Sequence, residues 1–314
     1  MRDIVIPEWL RAARAGSADG RAWLKLLPGL VENACARWRL EVSGPPYLGG
    51  VCGWVAPVLR ADGSPAVLKI TWPHPEAATE PAALRWWDGA GSIRLLAEHL
   101  DEWAMLLEAC VPGTPLRETE VPTADGLKIA AEVLTGLWSR GIPADPAIFD
   151  AMPQVCDRWA DTAALRADRH GAELQRLGAD PGILTLGIDL LRSLPRSADR
   201  QVVVHGDFNP GNVLAAERAP FLAIDPKPML GDPAYDPWQL VAQLGWPFRR
   251  SDAADVVAER IRWLADRLDL APERIAAWGI ARDVEGGLWA ASEGRAADGA
   301  KWIRAATQVA PMLG

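Results

Sequence analysis

One short polar segment decides the fold of this chain: His205-Gly206-Asp207-Phe208-Asn209-Pro210-Gly211-Asn212. A hairpin is predicted directly after it, because the apolar runs 213–215 and 221–224 flank turn-forming residues. Asn212 and Asp225 stand at the two open ends of this hairpin. Pairing of its strands brings these two residues to within about 5 Å of each other. Two oxygen ligands therefore converge beside Asp207.

This arrangement is typical of phosphoryl transfer. Mg²⁺ takes oxygen ligands and usually binds one or two carboxylates together with substrate phosphates, a task that suits Asn212 and Asp225. Asp207 is then free to accept a proton from a hydroxyl nucleophile. Protein kinases carry the same spacing in H-R-D-x-x-x-x-N, with Gly206 here in place of the Arg. The competing interpretation is a turn whose Asp and Asn only cap backbone groups.

A lysine upstream fits the same chemistry. Kinases hold nucleotide phosphates with a Lys on the third strand, and Lys69 interrupts the apolar run Val67-Leu68-Lys69-Ile70. Because a buried ammonium group is costly without a partner, a carboxylate is expected near it. Glu80 is the first candidate and Glu76 the second, although Pro81 biases Glu80 away from helical geometry.

Two further segments are expected to contact a nucleotide. Leu48-Gly49-Gly50-Val51-Cys52-Gly53 lies between two predicted strands, so the backbone N–H groups of Gly49 and Gly50 could cover its phosphates, although the full GxGxxG pattern is lacking. The segment 105–109 occupies the place of a kinase hinge. Its residues Leu107 and Ala109 are expected to contact adenine through backbone atoms.

The predicted elements divide the chain into two lobes, as its 314 residues suggest. Residues 1–109 are predicted to form a small β-rich nucleotide-binding lobe, and residues 110–314 a larger helical lobe for catalysis and acceptor binding. The Pro- and Gly-rich segment 111–115 separates them. A helix is predicted over 8–37, with Pro28 bending or splitting it. Further helices are predicted over 80–87, 125–140, 153–177, 181–194, 238–244, 252–268, 272–291 and 299–310. The predicted class is α+β, a bilobal protein-kinase-like fold.

Composition excludes several other functions. The net charge of −8 is unsuited to nucleic acid, which is bound by basic surfaces. The charge-free run 42–59 contains Pro45, Pro46 and Pro57, so it does not predict a membrane-spanning helix. The first residues show no apolar secretory segment, and the four cysteines have no CxxC spacing. A cytoplasmic monomer with reduced thiols is expected.

The motifs resemble those of the aminoglycoside phosphotransferases, and most closely the streptomycin 6-phosphotransferases grouped with hydroxyurea resistance kinases. The resemblance rests on HGDFNPGNVL, FLAIDPKPMLGDPAYD, RAWLKLLPGLVENACARWRLE and APVLRADGSPAVLKI, and it weakens between residues 114 and 197. It implies a bilobal kinase fold that uses ATP and Mg²⁺ to phosphorylate an aminoglycoside hydroxyl. By the same resemblance Asp207 is the base, Asn212 and Asp225 are metal ligands, and Lys69 binds phosphate.

Other residues of the motif are implied to have supporting roles. Asp232 and Asp236 match positions that more often hold the catalytic loop than contact ligand, and His205 is likewise expected to be a scaffold residue. The segment 208–210 departs from many relatives, which carry a second His in this loop. That departure concerns acceptor contacts rather than the base or the metal ligands.

The acceptor is harder to predict from sequence. Aminoglycosides are polycations, and the guanidinium groups of streptomycin favour bidentate carboxylates. Most acidic residues of the helical lobe alternate with Arg, which predicts that they lie on solvent-exposed faces of helices. Asp283 and Glu285 lie beside Gly286-Gly287, where a ligand could approach closely, and Asp232 is a further candidate.

The sequence therefore predicts an ATP-dependent small-molecule O-kinase, with streptomycin as the first acceptor to test. A hydroxyurea kinase and a metabolic sugar or amino-alcohol kinase share the same motifs. A nucleotide-binding module without activity would be expected to lack one of the Lys, Asp or Asn residues. A metal-dependent hydrolase using His205 and Asp207 would need more His ligands, and the remaining three histidines are not at ligand spacing: His74, His99 and His170.

Overall fold

The computed structural model describes residues 4–48, 50 and 52–314. The chain divides into two compact units, one made of Met1–Gly113 with Ala215–Leu222 and the other of Thr114–Leu214 with Ala223–Gly314. The short insertion in the first unit is the tip of the hairpin predicted after the polar segment.

Two helices open the first unit, α1 (Glu8–Arg14) and α2 (Ala18–Trp38). They are separated at Ser17, whose side chain accepts a hydrogen bond from the Gly20 N–H at 3.0 Å and so caps α2. Pro28 was predicted to bend or split this helix; splitting is wrong, since α2 runs through Pro28 without a break. Apolar residues on both sides of Pro28 enter one core, and this packing offsets the missing hydrogen bond: Trp23, Leu27, Val31 and Ala34.

A five-stranded antiparallel sheet forms the rest of this unit. Its strands follow the spatial order β1-β2-β3-β5-β4, with bounds β1 Glu41–Val42, β2 Gly53–Leu59, β3 Pro65–Thr71, β4 Leu95–His99 and β5 Ala104–Glu108. The helix α3 (Glu80–Trp87) lies between β3 and β4 in the chain. Alternate residues of β2 and β3 join the core with α2, among them Trp54, Leu68 and Ile70.

The second unit is mainly helical and centred on one buried helix. Its helices are α4 Thr123–Trp138, α5 Met152–Arg176, α6 Pro181–Ser193, α7 Trp238–Gln243, α8 Ala253–Leu268, α9 Pro272–Ser292 and α10 Ala296–Val309. α9 packs against α5, α6, α8 and α10, which explains why it is apolar on most of its circumference. In the part of the chain that is described, no helix has the length and apolar character needed to span a membrane.

Four short strands carry the polar segment predicted to be functional. β6 (Val202–Val204) precedes it, and β7 (Val213–Ala215) and β8 (Phe221–Ala223) form the predicted hairpin. β9 (Met229–Gly231) was not predicted, and it pairs antiparallel with β6. Residues 205–212 and 224–228 are therefore two loops held between paired strands.

Candidate active site

The loop after β6 is fixed by a buried carboxylate. Asp236 accepts hydrogen bonds from the backbone N–H groups of His205 (2.8 Å) and Gly206 (2.9 Å). Burial raises the pKa of Asp236 to about 6, against the opposing effect of these two hydrogen bonds. The supporting role that the resemblance implied for Asp236 agrees with this geometry.

His205 connects the two loops through hydrogen bonds of its ring. Its Nε2 bonds the Ile224 carbonyl oxygen at 3.0 Å, and its Nδ1 accepts from the Asp207 N–H at 3.3 Å. Burial lowers the pKa of His205 to about 4, so the ring is neutral at physiological pH and Nε2 carries its proton. A neutral, fully buried imidazole suits the scaffold role predicted for it.

Amide groups surround the carboxylate of Asp207. Asn212 Nδ2 donates to the Asp207 carbonyl oxygen at 2.9 Å and to Oδ2 at 3.2 Å. Asn209 Nδ2 donates to Oδ1 at 3.2 Å, while Asn209 Oδ1 accepts from the Gly211 N–H at 2.8 Å. The carboxylate is therefore held in one orientation on a loop that is itself fixed.

Asn212 and Asp225 lie at the base of the hairpin, as predicted. The Ile224 N–H donates to the Asn212 carbonyl oxygen at 2.9 Å, so the residue next to Asp225 is paired with Asn212. Asp225 has a positive φ of 55°, an unfavourable conformation for a non-glycine residue. Lys227 Nζ lies 3.1 Å from Asp225 Oδ1, so this carboxylate already attracts one cationic group.

The donor set at this position fits Mg²⁺. Because Asn212 Nδ2 is engaged by Asp207, the Asn212 amide oxygen is directed elsewhere and can act as a ligand. Within residues 4–48, 50 and 52–314, no group of three or more His, Cys, Asp or Glu side chains is placed to hold a metal ion. An amide oxygen and a carboxylate agree with the small number of protein oxygens that usually bind Mg²⁺ when substrate phosphates and water complete its shell.

In the first unit, Lys69 and Glu80 form a buried ion pair. Lys69 Nζ lies 2.7 Å and 2.8 Å from the two oxygens of Glu80, and both residues are buried. Glu80 is the first residue of α3, so Pro81 occupies the first turn, where proline is tolerated. The expected partner is thus in place, and the side chain of Glu76 lies outside the described residues.

The other predicted nucleotide contacts stay predictions. Gly49 lies outside the described residues, and a β-carbon at Gly50 would have no neighbour within 4 Å. Leu107 is buried in β5, opposite Val67 of β3. Ala109 follows the last residue of that strand.

The three acids suggested for acceptor recognition each have partners within the protein. Asp283 Oδ1 accepts from Trp238 Nε1 at 2.8 Å, and burial raises its pKa to about 7. Glu285 Oε1 lies 3.2 Å from Arg166 Nη1. Asp232 is buried and accepts from three donors: the Ala234 N–H at 3.0 Å, Trp278 Nε1 at 2.6 Å and Arg274 Nε at 2.5 Å. Their contact with an acceptor stays a prediction.

One residue that contacts Asp207 was missed by sequence reasoning. Gln239 lies on α7, and its side-chain amide reaches both Asp207 and Arg282. It follows Asp236 by three residues, but nothing in its sequence context distinguishes it from a surface glutamine.

Solved structures that match this fold include small-molecule phosphotransferases. A macrolide 2'-phosphotransferase from Brachybacterium faecium matches with a TM-score of 0.55 and 18% identity, covering 91% of this chain and 98% of that chain. A choline kinase from Streptococcus pneumoniae matches with a TM-score of 0.59 and 13% identity, covering 91% of this chain and 99% of that one. The fold is therefore α+β and protein-kinase-like, as predicted.

Sequence comparison identifies the family. The model of the aminoglycoside/hydroxyurea antibiotic resistance kinases matches residues 37–294. A hydroxyurea phosphotransferase of Kitasatospora aureofaciens is 35% identical over 305 residues, which is 90% of this chain and 79% of the relative. A streptomycin 6-kinase of Streptomyces griseus is 34% identical over 308 residues, 93% and 92% of the two chains. The chain belongs to the aminoglycoside/hydroxyurea antibiotic resistance kinase family, and it is a small-molecule kinase.

Proposed function

We propose that this kinase transfers the γ-phosphoryl group of ATP to a hydroxyl of an aminoglycoside, with streptomycin the first acceptor to test. The observation that carries the proposal is the Asp207 carboxylate, which is oriented by the side-chain amide N–H groups of Asn209 and Asn212. The similarity to streptomycin 6-kinases over more than nine tenths of the chain supports this acceptor class.

Asp207 takes the role of general base in this reaction. The acceptor hydroxyl gives its proton to the Asp207 carboxylate while the hydroxyl oxygen of the acceptor forms a bond to the γ-phosphorus. The bond from that phosphorus to the bridging β–γ oxygen breaks, and its electron pair leaves with ADP. Positioning and electrostatic stabilisation supply most of the rate in such transfers.

Asn212 and Asp225 would hold Mg²⁺, which when bound offsets the charge of the nucleotide phosphates. Lys69, oriented by Glu80, binds those phosphates, and the backbone of Gly49 and Gly50 covers them. Residues 1–109 then form the nucleotide-binding lobe, and residues 110–314 the catalytic and acceptor-binding lobe. We also propose that the enzyme acts as a monomer in the cytoplasm, where ATP is available and the thiols of its four cysteines stay reduced.

Hydroxyurea is the second candidate acceptor. A hydroxyurea phosphotransferase is as similar to this chain as the streptomycin kinases are. In addition, Asp232 and Asp283 are bonded to groups within the protein, which limits the carboxylates available to a polycation. These observations favour including a small neutral acceptor in the same test.

The test combines an acceptor panel with one variant. Purified enzyme is given ATP and Mg²⁺ with streptomycin, hydroxyurea, choline or an amino sugar, and the phosphorylated product is identified by ³¹P NMR. Asp207→Asn is expected to lower turnover by about 10²–10⁴-fold because the base is lost, with nucleotide binding retained. Asp199→Asn changes an exposed carboxylate and serves as the matched control.

Phosphorylated streptomycin would support the proposal, and exclusive phosphorylation of hydroxyurea would replace its acceptor. Phosphorylation of choline or the amino sugar alone would assign a metabolic role instead. Unchanged turnover in Asp207→Asn would overturn the role of the base.

A further inference from the structure

Gln239 connects the carboxylate of Asp207 to a guanidinium group. In one orientation of its amide, Gln239 Nε2 donates to Asp207 Oδ1 at 2.9 Å, and Oε1 accepts from Arg282 Nη2 at 2.6 Å. The opposite orientation sets the amide oxygen against a carboxylate oxygen and the amide nitrogen against a cation. The hydrogen-bond network therefore assigns the first orientation.

This contact makes the two oxygens of Asp207 unequal. A carboxylate offers about four lone-pair positions, two on each oxygen. Oδ1 accepts from two donors, Asn209 and Gln239, whereas among the described residues Oδ2 accepts from Asn212 alone. The remaining lone pair thus lies on Oδ2.

Arg282 gives Gln239 a fixed anchor. Its guanidinium lies 4.1 Å from the ring centroid of Tyr235, within the range of a cation–π contact, and Tyr235 is buried. Arg282 belongs to α9, the central helix of its unit. The orientation of Asp207 thereby depends on a side chain of the central helix as well as on its own loop.

We infer that Gln239 is a positioning residue which, anchored by Arg282, occupies Asp207 Oδ1 and leaves Oδ2 as the atom that accepts the proton of the acceptor hydroxyl. The inference rests on the proposed role of Asp207 as the base. Without Gln239 each carboxylate oxygen of Asp207 keeps one amide donor, Asn209 on Oδ1 and Asn212 on Oδ2, so the two oxygens become equivalent and the carboxylate is less firmly oriented. Small misplacements of a catalytic group reduce rates by up to about 10²-fold.

The test uses Gln239→Met, which keeps an unbranched side chain of similar length but cannot donate. Its kcat is expected to fall about 10–100-fold, with the KM for ATP unchanged. Gln243→Met, on the same helix, is the matched control and should keep the parental kcat. Arg282→Met is also expected to lower kcat. The double variant, Gln239→Met with Arg282→Met, should have the same kcat as Gln239→Met alone, because both residues act through one contact.

A second comparison separates positioning from a structural role. In an Asp207→Asn background, Gln239→Met should cause no further loss, since its effect passes through the carboxylate. An additional loss in that background, or an unchanged kcat in the single variant, overturns the inference. If Gln239→Met does not fold, Gln239→Glu keeps the shape and the contact with Arg282 but presents a carboxylate to Asp207, and retained kcat in that variant overturns the inference as well.

The two proposals fail differently. Unchanged activity in Asp207→Asn removes the base, and with it the basis of this inference. Lost activity in Asp207→Asn together with full activity in Gln239→Met leaves the proposed function standing and removes only the role of Gln239.

Discussion

The backbone carbonyl oxygen of Lys227 lies where a β-carbon on residue 206 would have to be placed. Gly206 also has a φ of +81°, which favours glycine over every other residue. Lys227 cannot easily withdraw, because its N–H donates to the His205 carbonyl oxygen at 2.8 Å. The close approach of the two loops therefore explains why glycine stands where protein kinases carry arginine.

Gly206→Ala should consequently disturb the loop that carries Asp207. The added methyl group collides with the Lys227 carbonyl, and overpacking of this kind costs about 1–3 kcal/mol in addition to the backbone strain. We expect a lower free energy of unfolding and a large loss of kcat. Both are measured on the purified variant by urea denaturation and steady-state kinetics.

Gly141→Ala is the matched control for this substitution. Gly141 lies in the same unit and also has a positive φ, +69°, but a β-carbon there has no neighbour within 4 Å. It carries the strain without the collision and should leave kcat unchanged. Equal destabilisation by the two substitutions would show that the collision with Lys227 contributes nothing.

The pair formed by Lys69 and Glu80 allows stability and function to be separated. Glu80→Leu leaves a buried ammonium group without its carboxylate, which typically costs about 3–5 kcal/mol. Lys69→Met combined with Glu80→Leu removes both charges and should recover most of that loss, because an apolar pair often replaces a buried ion pair without cost. Turnover of ATP is not expected to recover, since the double variant lacks Lys69, for which phosphate binding is proposed.

Thermal unfolding of the parent, the two single variants and the double variant measures this cycle, and kcat/KM for ATP is determined alongside. A double variant as unstable as Glu80→Leu would contradict the interpretation of the pair. A double variant with parental turnover would contradict the role of Lys69.

The candidate site was predictable from sequence where local pairing determined it. Pairing within the hairpin alone places Asn212 opposite Ile224, the residue before Asp225. The first residues of α6 and α9, Pro181 and Pro272, were predictable because proline is common at the start of a helix. β9 was missed because three residues, Met229–Gly231, carry no alternation, and their partner β6 lies far away in sequence.

Long-range side-chain contacts were beyond sequence reasoning. The sequence suggested two roles for Asp232, loop support and acceptor binding, but not its bonds to Arg274 and Trp278, 42 and 46 residues further on. Gln239 likewise reaches Asp207 only because α7 packs beside the loop. Such contacts depend on the tertiary arrangement, and no local pattern records them.

Asp283 should make stability depend on pH. Its pKa of about 7 in the folded protein is well above the ordinary value of about 3.9, so the folded state binds more protons between pH 4 and 7. Stability therefore falls as the pH rises through this window and levels off above it. Asp283→Asn removes this dependence while Trp238 keeps an oxygen acceptor.

The Tm of Asp283→Asn minus that of the parent should consequently increase between pH 5 and pH 8, by a few degrees if the effect is about 1 kcal/mol or more. The contributions of Asp236 and His205, whose pKa values are also shifted, are common to both proteins and cancel in the difference. Asp266→Asn, on the exposed side of α8, controls for the loss of one charge. A difference that does not vary with pH would contradict the raised pKa of Asp283.

Arg218, at the tip of the hairpin, is expected to stabilise the first unit through its guanidinium fork. Its Nε and Nη2 donate to the two oxygens of Glu108 at 2.7 Å and 2.9 Å, and it also donates to the carbonyl oxygens of Gly89 and Ser92. Arg218→Met should lower the free energy of unfolding by about 2–4 kcal/mol at pH 7. Arg218→Lys should lose nearly as much, because an ammonium group cannot reproduce the fork.

The stabilisation by the contact between Arg218 and Glu108 should be lost at low pH. Burial alone would raise the pKa of Glu108, but the hydrogen bonds from Arg218 and the Arg94 N–H hold it below its ordinary value. The stabilisation is therefore present above about pH 4.3 and is lost as the pH falls through the lower folded pKa. Urea denaturation at pH 7 and at pH 3 measures the change. Arg37→Met, which removes a single surface contact with Glu102, should cost at most about 1 kcal/mol, and an equal cost for Arg218→Met would show that the fork has no special role.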